Sequence, residues 1–472
     1  MKKSNQKEDN TFLGYNNINL PLSLSLSSIT GITNNPKNDE YEQEIKKMGE
    51  NDSNIYAENP RFLENPHITY IPVKIEVLLK KHISKKSLRK IDTNLDVAIE
   101  KCILFISNLS STYYEEDENR KWKQLHWSIL NEQGGFNDDG DMIHPIIIKT
   151  LLEGTKKGPV IICDGRFIVG EKSKSYRLTD AYLKGLTTYE FKTDEVRKIR
   201  KKTFYKKLSK ATKNPIARNL LNVYGDIDLP TEQELLVEGR KLVKSNYITK
   251  KGKKLTYQGK KSKNEWKNPQ ERSFIEDNIE LFKYLTDNGF MIPTPGDEKS
   301  GGRVVDSFTL MPSWIRDLCK IDGEPFIERD YSALHPNLAK KIYGGNGQTI
   351  THKKISEYLN IGIGEAKIEH LSFFNKKFTQ MEKSILFDYY RKYEEKMMYN
   401  IYKDKTNHKT TSMKLFKMEV ELMTEVIKRL NDMGIYVLYM YDAIGCKPSD
   451  VKTVDRVMIE EANKMGLNLE VK

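Results

Sequence analysis

Two aspartates in the last third of the chain have the setting that phosphoryl-transfer chemistry requires. One lies in Glu328-Arg329-Asp330-Tyr331-Ser332-Ala333-Leu334-His335-Pro336, the other in Tyr439-Met440-Tyr441-Asp442-Ala443-Ile444-Gly445-Cys446, and each leaves an apolar strand. Two carboxylates held on adjacent strand ends are what a pair of divalent metals needs to clamp the attacking and leaving oxygens of such a reaction. Asp330 alone would be an ordinary cap for the helix that follows it. The second signature changes that, because a carboxylate at a hairpin tip has no evident role in a core.

The elements around them are legible from periodicity. After the turn Asp322-Gly323-Glu324, residues 325–330 read as a strand with Phe326, Glu328 and Asp330 on one face and Ile327, Arg329 and Tyr331 on the other. Asp330 then stands at the strand end, where Ser332 or Ala333 offers a backbone carbonyl to a metal, ahead of a helix from Leu334 to Tyr343. Ser412 is placed to cap a helix whose apolar residues Leu415, Met418, Leu422, Val426, Leu430 and Met433 recur at helical spacing, and Gly434 ends it. On that helix Glu419 is a candidate metal-adjacent acid, with a solvent-facing position between Met418 and Leu422 as the expected one. Residues 435–441 are continuously apolar or aromatic and read as a buried strand, which leaves Asp442 at the tip. Beyond Pro448, Ser449 is placed to cap a last helix over 451–465, and 467–471 makes a final strand. Upstream, a Gly301-Gly302 turn delivers Arg303 to the start of the strand Val304-Val305, and 314–318 give a short helix.

The 472 residues carry 78 Lys+Arg against 66 Asp+Glu, a net charge of +12, which favours a polyanionic partner, nucleic acid first. That length predicts two or three domains. Cys102, Cys163, Cys319 and Cys446 are far apart and form no C-x-x-C pair, which argues against a zinc site or a disulfide framework and for a reducing compartment. The N-terminus has no apolar targeting core and no stretch reaches membrane-spanning length, so a cytoplasmic protein with no membrane partner is expected. Residues 1–58 are polar with little periodicity apart from Leu20-Pro21-Leu22-Ser23-Leu24-Ser25-Leu26, and are expected to be flexible. Residues 68–79 read as a strand entering a helix, 95–109 as a helix, and 160–170 as a hairpin about the turn Asp164-Gly165-Arg166. Arg177 follows in a basic stretch, 171–178. The runs 198–213 and 250–267 interleave lysines with Phe, Tyr and Trp, the footprint of a nucleic-acid groove, with a solvated lysine face as the alternative. Asp164 and Asp180 are isolated and assemble no second, editing carboxylate site.

From Gly301 to the C-terminus, the order of these parts resembles the right-hand polymerases of the superfamily that joins family A DNA polymerases to bacteriophage-type single-subunit RNA polymerases. Gly301-Gly302-Arg303 looks like the Thr-Gly-Arg element that meets the primer end, and Asp330-Tyr331-Ser332 looks like motif A. Gly364-Glu365-Ala366-Lys367 opens a stretch like motif B, and Tyr441-Asp442-Ala443 looks like motif C. The resemblance implies a mixed α/β (α+β) right-hand fold with an antiparallel palm sheet, helical fingers inserted between motifs A and C, and an N-terminal accessory region. The corresponding division is 1–58 flexible, 59–270 accessory and thumb-like, 271–344 first palm part, 345–411 fingers and 412–472 second palm part. It implies two Mg²⁺ ions, with Mn²⁺ as a substitute, held by Asp330, Asp442 and the backbone carbonyl of Tyr331. Lys367 would meet the triphosphate and assist catalysis, His335, Leu371 and Asn375 would contact the nucleotide, and Arg303, Arg316 and Arg177 the primer-template.

The departures are specific. Ile363 stands where arginine is usual, Asn375 where a tyrosine closes the site, Tyr441 for histidine, and Ala443 for a carboxylate or serine. His335 occupies the position of the glutamate that excludes a ribose 2′-hydroxyl in the DNA polymerases, and its bulk favours deoxynucleotides. The implied activity is template-directed nucleotidyl transfer from nucleoside triphosphates on a DNA primer-template, DNA synthesis ahead of RNA synthesis or de novo priming, by a compact enzyme of a mobile element or phage. A catalytically silent nucleic-acid-binding scaffold is the alternative from another class. Phosphodiester hydrolysis fits the ordered Arg303, Asp330, Lys367 and Asp442 less well.

Overall fold

The computed structural model describes residues 62–115, 121–137, 140–155, 158–168 and 173–472. They form a mixed α/β protein of two units, one built from residues up to 213 with 276–294, the other from 214–275 with 295–472. The segment 1–58, expected to be flexible, lies outside the described residues, as does its leucine-serine run.

The first unit opens with β1 (Ile68–Pro72), α1 (Ile75–His82) and α2 (Leu95–Ser107), where the apolar runs place them. Every residue from Val97 to Ile106 is buried, so α2 is a core helix enclosed all round. Its two buried charges are answered, as burial of charge requires. Glu100 accepts hydrogen bonds from the Tyr189 hydroxyl (2.9 Å) and the Thr193 amide (3.0 Å), and Lys101 meets Asp92 (3.0 Å) and Glu195 (2.7 Å).

The hairpin expected over 160–170 takes another form. β2 (Lys123–Gln124), β3 (Ile161–Cys163) and β4 (Ser175–Leu178) make a sheet with β4 in the centre, and Ile161 pairs with Leu178 and Cys163 with Tyr176. The Asp164 carboxylate ties the turn to the later strand by accepting from the Ser175 amide (2.9 Å), while Phe167 and Ile168 are exposed. β5 (Leu186–Glu190) pairs antiparallel with β1, and α3 (Asp194–Lys213) carries the first lysine-rich run.

The second unit begins with α4 (Pro215–Val223), β6 (Ile227–Asp228), α5 (Glu232–Lys244), β7 (Lys254–Thr256) and β8 (Arg272–Phe274). After β9 (Val304–Val305) and the short α6 (Ser313–Arg316) come β10 (Lys320–Ile321) and β11 (Glu324–Pro325). They are joined by a two-residue turn in which Asp322 (φ 50°) and Gly323 (φ 76°) are both left-handed, the geometry that matches strand twist. β12 (Ile327–Asp330) follows, then helices α7 (Leu334–Tyr343), α8 (His352–Leu359), α9 (Ile363–Phe373), α10 (Phe387–Tyr393) and α11 (Thr410–Asp432). β13 (Leu438–Met440), β14 (Ala443–Cys446) and α12 (Val451–Lys464) complete it.

The sheet that matters for the site is antiparallel, in the order β12-β14-β13. Side chains fix the helices on it. The Arg329 guanidinium grips Asp455 of α12 with two bonds (2.6 and 2.8 Å), the Tyr331 hydroxyl donates to the Met458 carbonyl (2.7 Å), and the Asn219 amide of α4 bonds both the amide and the carbonyl of Val437. Bidentate pairs of this kind set geometry as well as energy.

Several expected boundaries shift. α11 starts at Thr410, so Ser412 lies inside it and caps nothing; Met433 is 44% exposed; and α12 is preceded by Asp450 rather than capped by Ser449. The final strand is reduced to one bridge, Tyr331 with Val471, flanked by backbone bonds between Asp330 and Lys472 (3.1 and 2.9 Å). The Gly301-Gly302 turn does deliver Arg303 to β9. Gly301 is left-handed (φ 65°), and a Cβ there would stand 2.4 Å from the Lys417 amide nitrogen, so the turn lies directly on the backbone of α11. Among the described residues no helix is long and apolar enough to cross a membrane.

Candidate active site

The register of the β12-β14 pair sets Asp330 opposite Ala443, the residue after Asp442, and the charge of Asp442 acts on the Asp330 carboxyl. Both aspartates sit near backbone that ordinary residues avoid. Tyr441, immediately before Asp442, is left-handed (φ 68°), and so is Ala333 (φ 52°), three residues after Asp330. A left-handed non-glycine costs about 1–2 kcal/mol, and such strain collects where side chains must be aimed. Ala333 is the residue preceding α7, which has no side-chain cap, so Asp330 is not that helix's cap.

The electrostatics are unfavourable as they stand. Asp330 is partly exposed as a residue, yet its Oδ1 is enclosed and, among the described residues, has no hydrogen-bond partner. Burial, then the charges of Asp442 and Glu328, push its carboxyl up to about 8. Burial and the charge of Glu419 raise Asp442 as well. Adjacent carboxylates in a half-enclosed site cannot both ionise without a counter-charge. A divalent cation fits this donor set, since the oxygens are hard and one lacks a partner. Among the described residues no group of three or more His, Cys, Asp or Glu forms a closed metal site, and Mg²⁺ is commonly held by one or two carboxylates with substrate phosphates completing its shell.

Glu419 is where the sequence expectation fails. It is fully buried rather than solvent-facing. Its Oε1 accepts from Arg303 Nε (2.8 Å), and its Oε2 bonds both Arg303 Nη2 and His335 Nε2 (2.7 Å to the imidazole). Burial alone would raise this carboxyl, but the Arg303 charge and the His335 bond more than offset it and hold it at about 2. The Arg303 guanidinium lies between two rings, 3.7 Å from the Phe416 centroid and 4.8 Å from that of Tyr441. One acid therefore joins the glycine turn, the motif-A-like segment and the residue before Asp442. Phe416 went unremarked in the sequence.

The other expected site residues are distributed as follows. His335 is 26% exposed, bonded to Glu419 and against Phe416. Tyr331 has a buried side chain and a backbone bridged to Val471. Arg316 is buried, with Nη1 donating to the Phe308 carbonyl (3.0 Å) and Nη2 facing Glu328 (3.5 Å). Lys367 is exposed on α9 and, among the described residues, has no hydrogen-bond or ion-pair partner; Leu371 is half-buried one turn on. Asn375, just past α9, accepts from the Ser412 hydroxyl of α11 (2.9 Å). Arg177 belongs to β4 of the first unit, with its guanidinium over the Trp122 ring at 5.5 Å.

α9 also carries a pH-sensitive element. His370 is buried, with Nδ1 donating to the Ala366 carbonyl (3.0 Å), so Nε2 must accept from the Tyr390 hydroxyl, which fixes the neutral tautomer. Burial, with the neighbouring His352 ring at 5.0 Å, lowers His370 to about 3, and burial lowers His352 to about 4. A histidine depressed in the fold binds fewer protons than in the unfolded chain. Its stabilising contribution is therefore complete above about pH 6.5 and is lost as the pH falls toward 3. Melting temperature against pH should show acid lability that flattens in His370→Gln, and an unchanged profile would mean that this histidine is not buried neutral.

No family model matches the chain, and no curated protein matches it. Among solved structures, the chain is similar to the POL domain of Pol1 from M. smegmatis, in complex with DNA primer-template and dNTP. The match covers 59% of this chain and 72% of that one at 9% identity, with a TM-score of 0.37. So distant a likeness has no bearing on what Asp330 and Asp442 do, which rests on their own geometry.

Proposed function

We propose that the protein is a template-directed nucleotidyltransferase, a DNA polymerase that extends a 3′-hydroxyl, with β12-β14-β13 as its palm sheet and 345–411 as helical fingers. The observation that carries this reading is the pair of adjacent carboxylates, both raised, one with an oxygen enclosed and unpartnered. Divalent cations at Asp330 and Asp442 would neutralise the triphosphate and lower the pKa of the attacking hydroxyl. The chain's own residues prepare that site. Asp330 keeps a proton that must leave before both carboxylates can act as ligands. Glu419 holds the His335 imidazole by Nε2, so the exposed edge of the ring has one orientation, and that edge is the proposed barrier to a ribose 2′-hydroxyl. Lys367, a cation with no partner among the described residues, is the proposed contact for the triphosphate.

The test is primer extension on a labelled DNA primer-template with Mg²⁺, with dNTPs and NTPs offered separately. Wild type should extend with dNTPs. His335→Ala should raise the relative use of NTPs by at least about tenfold, the discrimination that an enforced steric clash of roughly 1.4 kcal/mol provides. Unchanged sugar choice would remove His335 from the reading, and absence of extension on any template would favour a silent scaffold.

A further inference from the structure

The second lysine-rich run forms a defined surface that the proposed chemistry does not use. Beyond α5 the chain makes a tight hairpin in which Ile248 bridges Lys254, the Thr249 amide donates to the Lys253 carbonyl (2.8 Å), and the Gly252 amide to the Thr249 carbonyl (2.8 Å). β7 then runs parallel to β8 in a register that sets Lys254 beside Arg272, while Leu255, Thr256 and Phe274 turn into the interior. The loop between the two strands returns Lys261, Trp266 and Lys267 to the same place. The Trp266 ring has the Lys261 ammonium and the Arg272 guanidinium each 5.0 Å from its centroid, and Arg240 lies 5.1 Å from the Tyr257 centroid. Arg272, Lys254 and Lys267 line a cleft of about 300 Å³ beside Asn268 and Glu271.

Among the described residues, Lys254 and Arg272 are held by neutral acceptors rather than by counter-ions. Lys254 Nζ donates to the Asn246 side-chain oxygen (2.8 Å), and Arg272 donates to the Lys267 carbonyl (3.1 Å) and the Thr256 hydroxyl (3.3 Å), all neutral acceptors. Among the described residues, neither has a carboxylate partner. The one acid on the cleft wall, Glu271, accepts from the Asn268 amide (3.1 Å), and Glu265 is taken up by Ser262. Like charges that a fold gathers and leaves unneutralised mark a site for an anion, and aromatic rings interleaved with them suit a strand whose bases can stack. The hairpin tip also reaches the proposed active site, because Lys250 Nζ meets Glu328 (2.8 Å), two residues before Asp330.

We propose that the Lys254-Lys267-Arg272 cleft binds the phosphodiester backbone of the nucleic-acid strand that enters the Asp330-Asp442 site. The inference rests on the polymerase reading only for where the strand leads. Full-length wild type and Lys254→Glu/Lys267→Glu, two exposed positions, are compared by fluorescence anisotropy with a labelled primer-template over a salt series. The variant should bind about tenfold more weakly, and its log K against log [salt] slope should be shallower by about one to two, since each lost phosphate contact on duplex removes about 0.9. Equal affinity and slope would overturn the proposal. Inorganic phosphate that competes as strongly as the oligonucleotide would also overturn it, by marking a small-anion site. Asp330→Asn separates the two readings, because it should bind with the wild-type slope. A wild type that extends no primer while the double variant still loses affinity would sink the polymerase reading and leave the cleft standing.

Discussion

Asp330→Asn and Asp442→Asn should each lower primer extension by about a thousandfold or more, and Asp330→Asn should at the same time make the cation-free protein more stable at alkaline pH. The first effect follows from removing a ligand to charges that supply several kcal/mol to a phosphoryl-transfer transition state. The second follows from the local charge balance. Folded Asp330 keeps its proton up to about 8, whereas its ordinary value is 3.8. Between those values the folded state holds the extra proton, so the contribution of this carboxyl to stability is full below about pH 4 and is lost as the pH rises through 8. Melting of the wild type in EDTA should therefore fall across that window by more than melting of Asp330→Asn. Mg²⁺ should raise the wild-type melting temperature much more than that of the variant, since a ligand at a hundred times its Kd adds about 2.7 kcal/mol. A variant that is inactive and also less stable in EDTA at high pH would mark Asp330 as a structural carboxylate.

That pairing was the most legible part of the molecule, for a physical reason. A strand must alternate and a hairpin must turn, so local pattern alone puts Asp330 at the end of β12 and Asp442 in the turn between β13 and β14, although those strands are shorter than the apolar runs suggest, and the β12-β14 register then sets Asp330 opposite the residue that follows Asp442. Less legible was anything that depended on which helical residues turn inward. The buried face of α11 runs Leu415, Glu419, Leu422, Val426 and Leu430. A reading by hydrophobicity selects Met418 and passes over Glu419, although the four-then-three spacing from Leu415 through Glu419 to Leu422 was available. A charge on that stripe is tolerable only if a partner is buried with it, and the partner, Arg303, lies more than a hundred residues away. The 160–170 hairpin failed for a related reason, because the Asp164 side chain selects a strand further along the chain than the nearest apolar run.

Glu419→Ala should be the most destabilising single change in the second unit, costing about 3–5 kcal/mol, because it leaves the buried Arg303 charge without its carboxylate. Arginine cannot relieve this by losing its proton. Arg303 is only 5% exposed and its guanidinium is enclosed between Phe416 and Tyr441, so water cannot replace the lost partner without parting the rings. Glu419→Gln keeps the shape but not the charge and should fall between wild type and alanine. Replacing both partners in Arg303→Met/Glu419→Met should recover much of the loss, since no uncompensated charge then remains. A double-mutant cycle in urea reads the coupling directly. Single changes that cost less than about 1 kcal/mol, with no coupling, would show that the pair is hydrated. The consequence for chemistry follows from what the acid holds. Arg303 packs on Tyr441, whose left-handed backbone aims Asp442, and His335 stands five residues beyond Asp330. If Glu419→Gln lowers synthesis even where it folds fully, the cause is displacement of these aspartates and of the imidazole, and it should appear as lost sugar discrimination as well as lost rate.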